Sequence, residues 1–129
     1  MQKAVLVVHS DVVTRDTLCM YLRGRGYKAV PAGSTNGAWE LLTKGHMFSA
    51  VISGMTFEPQ DLLGSALILR IHAHPRLRGT KLALLSAIPD VSLGNESRLA
   101  TVCEKIGAKF YLEPADFEQL LDDFLPKES

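Results

Sequence analysis

The chain has 129 residues, of which 47% are apolar and 22% are charged, and its 14 basic side chains balance 14 acidic ones. This length fits one domain, residues 1–129, and a high apolar content at zero net charge excludes intrinsic disorder. The balance also removes the usual electrostatic argument for nucleic-acid binding, and no apolar run approaches the roughly 20 residues of a membrane span. No secretion signal is present, so we expect a cytoplasmic protein that binds neither nucleic acid nor membrane, with Cys19 and Cys103 reduced.

Five short segments of strand length follow one another along the chain. They are Ala4–Val8, Tyr27–Val30, Ala50–Ser53, Lys81–Leu85 and Lys109–Leu112. Four of them are apolar without alternation, which is typical of strands that are buried on both faces. The segment Tyr27–Val30 mixes polar and apolar residues and therefore favours an edge strand.

The stretch after each strand has apolar residues at spacings of three and four, as in Phe117, Leu120, Leu121 and Phe124, which indicates a helix with one buried face. Ser34 is a candidate N-cap of the second helix, and Pro114 is expected to open the fifth. Five strand–helix units predict an α/β flavodoxin-like (βα)5 three-layer sandwich, with a parallel five-stranded sheet in the order 2-1-3-4-5. The first and fifth helices then share one face, which separates Cys19 from Cys103.

Function in such a sheet is expected at the carboxyl ends of the central strands, where several polar residues stand. They are His9, Ser10, Asp11, Ser53, Gly54, Ser86 and Glu113. Around these positions the chain resembles the receiver domains of two-component response regulators, over essentially all 129 residues. The resemblance rests on the segments LVVHSD, AVISGM, GSALILRI, LLSA and YLEPAD.

The resemblance implies where the working parts of a receiver should fall. Its acidic, cation-binding pair aligns with His9 and Ser10, its phosphoacceptor Asp with Gly54, and its Lys with Glu113, while Ser86 keeps the family pattern. Phe110 occupies the position of the aromatic switch residue. Because Gly54 has no side chain and the aligned pair offers no carboxylate, we expect a pseudo-receiver without phosphotransfer, bound metal or cofactor.

Two alternatives concern His9 and its neighbours. If His9 faces Glu113, the pair could act as a proton sensor. Alternatively, the histidine could simply fill, through hydrogen bonds, the pocket left by the missing receiver residues, and we favour this second interpretation. Asp11 could be a surviving metal ligand, but its place before a helix favours an N-cap.

Two further alternatives involve the serines. A small enzyme or ligand-binding protein could use the rim His9, Ser53, Ser86 and Glu113, since nucleophilic catalysis needs a hydroxyl, a base and an acid. A receiver could also be phosphorylated unconventionally at Ser10, Ser53 or Ser86. We expect neither, because no sharp turn exposes a serine and serine lacks the acyl-phosphate carboxylate.

We therefore expect a stand-alone signalling adaptor, not an enzyme, that binds another bacterial signalling protein or a second copy of itself. In receivers the fourth helix, fifth strand and fifth helix form the usual docking surface. Here that surface would contain Arg98, Thr101, Lys105, Phe110, Tyr111, Glu118 and Asp122.

Overall fold

The computed structural model describes residues 2–87, 92–93 and 97–126, and of residues 92–93 and 97–98 it describes the backbone alone. The helices are α1 (Val12–Gly24), α2 (Thr35–Thr43), α3 (Gly64–Ala73), α4 (Leu99–Ile106) and α5 (Phe117–Phe124). The strands are β1 (Ala4–Val8), β2 (Lys28–Ala32), β3 (Ala50–Gly54), β4 (Lys81–Ser86), β5 (Ser92–Leu93), β6 (Ser97–Arg98) and β7 (Lys109–Leu112). None of the helices described is both long and apolar enough to cross a bilayer.

Five parallel strands form the main sheet, in the spatial order β2-β1-β3-β4-β7. In this register Val5 of β1 lies opposite Ala29 of β2 and Ala50 of β3. Since β7 is the fifth strand of the sheet in chain order, the predicted 2-1-3-4-5 arrangement is confirmed. Strands β5 and β6 form a separate antiparallel pair that the sequence analysis does not predict.

The sheet is packed on both faces, which explains the unbroken apolar runs of its central strands. Leu6 and Val8 belong to the core beneath α2, α3 and α4, whereas Val5 and Val7 belong to the core beneath α1 and α5. Cys103 lies in the first core and Cys19 in the second, and both are buried. The predicted separation of the two cysteines is therefore confirmed.

The sequence analysis predicts the start of one helix correctly and the start of another wrongly. The side chain of Ser34 accepts a hydrogen bond from the Gly37 amide and caps α2 as predicted. The expectation that Pro114 opens the fifth helix is wrong, because α5 begins at Phe117 behind the N-cap Asp116. That carboxylate accepts hydrogen bonds from two amides of the first turn, whereas Pro114 follows a cis peptide bond in the preceding loop.

Helix α3 begins in direct contact with the end of β3. The Gly64 amide donates to the Met55 carbonyl at 2.8 Å, and a Cβ added to Gly64 would lie 1.9 Å from the carbonyl oxygen of Gly54. A backbone carbonyl in a sheet cannot move aside as the tip of a flexible side chain can. The close approach therefore fixes the backbone of Gly54 at the carboxyl edge of the sheet.

The variant Gly64→Ala should lower the free energy of unfolding by about 1–3 kcal/mol or more, as overpacking in a rigid core does. The matched control is Gly24→Ala in α1, where an added Cβ meets nothing within 4 Å and should stabilise the helix by up to about 1 kcal/mol. Urea unfolding of both variants measures the difference. Equal stabilities for the two variants would contradict the close contact.

Candidate functional site

His9 follows the last residue of β1 and lies at the centre of the carboxyl edge. Its amide donates to the Ala32 carbonyl, which continues the pairing with β2 beyond the strand, and its own carbonyl accepts from Arg15 Nη1 at 2.9 Å. The residue is only 8% exposed. These backbone contacts direct a nearly buried imidazole across the ends of β3 and β7.

Both ring nitrogens of His9 have hydrogen-bond partners. The Asp11 amide donates to Nδ1 at 3.0 Å, and Nε2 lies 2.6 Å from Glu113 Oε1. Because Nδ1 accepts a hydrogen bond, the ring proton resides on Nε2 and is donated to the carboxylate. Asp11 and Glu113 thus occupy both ring nitrogens, which is the arrangement expected of a histidine that fills the pocket through hydrogen bonds.

The His9 ring covers the end of β3. A Cβ added to Gly54 would lie 2.8 Å from Cδ2 of His9 and 3.2 Å from its Nε2. Real Cβ atoms essentially never approach a ring carbon so closely. The imidazole therefore occupies the space above Gly54 that a side chain at that position would need. As long as His9 keeps this position, residue 54 has no room for a side chain.

Ser10 and Asp11 turn away from this pocket. The Ser10 hydroxyl donates to the Thr56 carbonyl at 3.1 Å. The Asp11 carboxylate accepts from the Thr14 hydroxyl at 2.6 Å and from the Thr14 amide at 3.0 Å, and these bonds lower the pKa of Asp11. The predicted N-cap at Asp11 is therefore confirmed, and its carboxylate serves the start of α1.

The side chains at this edge do not fit a divalent cation of the kind that the resemblance implies. Such a hard cation needs several oxygen ligands, chiefly carboxylates. Here the described carboxylates of Asp11 and Glu113 are bound to Thr14 and to His9 respectively. In the part of the chain that the structure describes, no three His, Cys, Asp or Glu residues are grouped so that they could hold a metal ion.

The serines of the rim are fully buried. The Ser53 hydroxyl donates to the Gly54 carbonyl at 2.8 Å, and Ser86 at the end of β4 is likewise inaccessible. Since both nitrogens of His9 are engaged by Asp11 and Glu113, neither serine is hydrogen-bonded to it as a nucleophile would be to its base. This geometry gives no support to the enzyme alternative.

The expected docking surface divides into two parts. Thr101 and Lys105 are exposed on α4, Phe110 is half-buried against the core beneath α4, and the Arg98 side chain lies outside the described residues. Tyr111 points to the other face of the sheet, where its hydroxyl donates to Asp123 of α5. Burial and this carboxylate raise the pKa of Tyr111 well above its ordinary value.

Glu118 and Asp122, by contrast, lie beside α1. The Arg25 Nη2 atom, just after α1, donates to the Glu118 carbonyl at 3.1 Å and pairs with Asp122 Oδ1 at 2.8 Å. The acidic residue of α5 that faces β7 is Asp123, which also lies 3.7 Å from the Lys109 ammonium. Helical periodicity alone does not separate these neighbouring carboxylates, so the sequence analysis omits Asp123.

We expect the imidazole proton of His9 on Nε2 and not on Nδ1, because Nδ1 accepts a hydrogen bond from the Asp11 amide. Two-bond ¹H–¹⁵N correlation spectra of the imidazole distinguish the tautomers, and exposed His46 serves as the control ring in the same sample. A proton on Nδ1 of His9 would contradict the assigned geometry.

Neither a protein-family model nor a curated protein sequence matches this chain. Among solved structures, the chain is similar to a response regulator receiver protein from Pseudomonas putida, with 28% identity, a TM-score of 0.79 and coverage of 99% of this chain and 98% of that one. It is also similar to the signal receiver domain of an HD domain-containing protein from Pseudomonas fluorescens, with 26% identity, a TM-score of 0.76 and coverage of 94% and 90%. A CheY-like receiver domain protein from Methanospirillum hungatei gives 19% identity, a TM-score of 0.77 and coverage of 95% and 90%. The chain thus has the fold of response regulator receiver domains over nearly its whole length.

Proposed function

We propose that the chain is a pseudo-receiver, an adaptor of bacterial signal transduction that acts in the cytoplasm by binding another protein without being phosphorylated. The receiver fold supports the signalling role. The observation that carries the rest is the imidazole of His9 lying over Gly54, where a phosphoacceptor side chain would have to stand.

Three features of the carboxyl edge oppose phosphotransfer. Gly54 offers no carboxylate that could attack a phosphoryl group, and His9 fills the space around it. Glu113 places a negative charge where the family's Lys would steady an incoming anion. The carboxylates of Asp11 and Glu113 accept hydrogen bonds from Thr14 and His9 respectively, so they do not form the paired oxygen ligands of a divalent cation that would neutralise the phosphate.

The His9–Glu113 bond also bears on conformational switching. It joins the end of β1 to the residue after β7 across the end of β3, next to buried Ser86. A two-state switch moves only when a ligand binds one state better than the other. Since the residues of this edge bind one another, a phosphoryl analogue has no differential contact to make, and the domain keeps one resting conformation.

The proposed adaptor acts through a surface of the domain. The faces of α4 and β7 present exposed Thr101 and Lys105 beside half-buried Phe110, and Asp123 of α5 adjoins Tyr111. We place the contact with a signalling partner or a second copy on this surface. Glu118 and Asp122 are held against Arg25, so they would contribute to a surface shared with α1.

Beryllofluoride with magnesium, a phosphoryl mimic, should leave the amide NMR spectrum of the wild-type chain unchanged. The variant Gly54→Asp should also show no shifts that spread from Ser86 to Phe110, because the new side chain meets His9 and Glu113 still repels the anion. Gly54→Ala is the matched control, since it introduces the same Cβ contact without a carboxylate.

Two results of this experiment would count against parts of the proposal. Shifts spreading from Ser86 to Phe110 in the wild type would refute the pseudo-receiver assignment. The same shifts in Gly54→Asp but not in Gly54→Ala would show that His9 and Glu113 do not block the site.

A further inference from the structure

Helix α1 has a second apolar face on its outer side. Its large apolar side chains that are exposed are Val12, Val13, Met20 and Tyr21. Val13 and Met20 are the most exposed of them, at 72% and 68%. Among the described residues, each of the other helices exposes at most one side chain of this kind. Since the inner side of α1 already packs on the sheet, these side chains are not needed for the core of the domain.

The outermost residues of α1 repeat at the spacing of a coiled coil. They are Val13, Thr17, Met20 and Gly24, which are four, three and four positions apart. Thr17 is half-buried and the other three are exposed. Residues at this spacing form one stripe along a helix, which a second helix can cover. We call these four residues the outer stripe.

Two opposite charges flank the outer stripe on the same side. Asp16 and Arg23 each precede a residue of the stripe by one position, and both are exposed. In the part of the chain that the structure describes, Asp16 pairs with no cation. The Arg23 guanidinium donates from Nη2 to the Ala29 carbonyl at 3.1 Å, a neutral group that leaves its charge uncompensated and its other N–H groups available. The helix dipole favours Arg23 in the last turn, but it gives no reason for Asp16 in the middle of the helix.

Large and small residues alternate along the outer stripe. An antiparallel pair of α1 helices would place Val13 opposite Gly24 of the second copy. It would likewise place Met20 opposite Thr17 of the second copy, so that each large side chain meets a small one. A parallel pair would set every residue opposite itself, with Met20 against Met20 and a gap at Gly24.

The charges favour the same orientation. In an antiparallel pair, Asp16 lies within about one helical turn of Arg23 of the second copy, and the two-fold axis repeats this contact. In a parallel pair, Asp16 would instead face Tyr21 of the second copy, without a cation. The outer stripe is therefore complementary to itself in both size and charge.

We propose that the protein forms a dimer in which α1 packs antiparallel against α1 of a second copy. A helix of 13 residues is about 20 Å long, so the interface is small and of the transient class. Tyr21 extends it towards α5, since its ring lies edge-on against that of Phe117 with 5.9 Å between centroids. The second copy is thereby assigned to α1, and the surface of α4 and β7 stays available to another signalling protein.

Sedimentation-velocity centrifugation of the full chain over a concentration series tests the proposal. We expect a monomer–dimer equilibrium with a dissociation constant in the micromolar range. Met20→Glu should weaken it by about tenfold or more, because the symmetric interface loses two apolar side chains and gains two charges. Leu69→Glu is the matched control, since Leu69 is exposed on α3 at the other face of the sheet and the change in charge is the same.

An exchange of charges tests the orientation of the two helices. Asp16→Arg should weaken the dimer by about fivefold, because two cations would then face each other at both ends of the interface. Asp16→Arg combined with Arg23→Asp should restore the wild-type affinity, since each pair is re-formed with its signs exchanged. Thermal unfolding of every variant separates a loss of association from a loss of folding.

Several results would overturn the proposal. One is a chain that stays monomeric up to about 1 mM, and another is equal weakening by Met20→Glu and Leu69→Glu, which would reveal general charge repulsion. Concentration-dependent amide shifts at Thr101 and Lys105 instead of the outer stripe would place the second copy on α4. A folded double variant that stays as weak as Asp16→Arg would contradict the antiparallel arrangement. None of these results depends on the carboxyl edge, so the pseudo-receiver assignment is tested separately.

Discussion

The arrangement of the carboxyl edge depends on one steric constraint, the packing of the His9 imidazole on the backbone of Gly54. The ring fits there only because Gly54 has no Cβ atom, since a Cβ added to Gly54 would lie 2.8 Å from Cδ2 of His9. Helix α3 holds that backbone from the other side, because Gly64 approaches the Gly54 carbonyl too closely for any side chain. Glu113 then orients the ring through Nε2, so three strand ends are joined through one small side chain.

This packing makes the substitutions at the edge interdependent. Residues that share a contact or a hydrogen-bond network have effects that do not add, so we expect that changing one position alone would not create a working receiver site. An aspartate at position 54 would displace His9, and displacing His9 would leave Glu113 without its donor and the Asp11 amide without its acceptor. The Glu113 side chain is only 19% exposed, and a buried polar group left without a partner costs about 1–3 kcal/mol.

The architecture could be predicted from the sequence because burial on both faces leaves continuous apolar runs, and the bounds of Ala4–Val8 and Lys109–Leu112 agree with the structure. The caps Asp11 and Ser34 were predictable for a local reason, since a short polar side chain before a helix satisfies its first amides. The start of α5 was not predictable in this way, because both Pro114 and Asp116 are residue types that commonly begin a helix. The resemblance anticipated that His9 fills the pocket at the carboxyl edge, but its direct packing on Gly54 and the contact of Arg25 with Asp122 join residues far apart in the chain, and no local pattern encodes them.

Intact-protein mass spectrometry after incubation with acetyl phosphate and magnesium tests the central claim most directly. With His9 over Gly54 and no free carboxylate beside it, the account predicts that the mass of the chain stays unchanged. An increase by the mass of one phosphoryl group, located by peptide mapping to Ser10, Ser53 or Ser86, would contradict it.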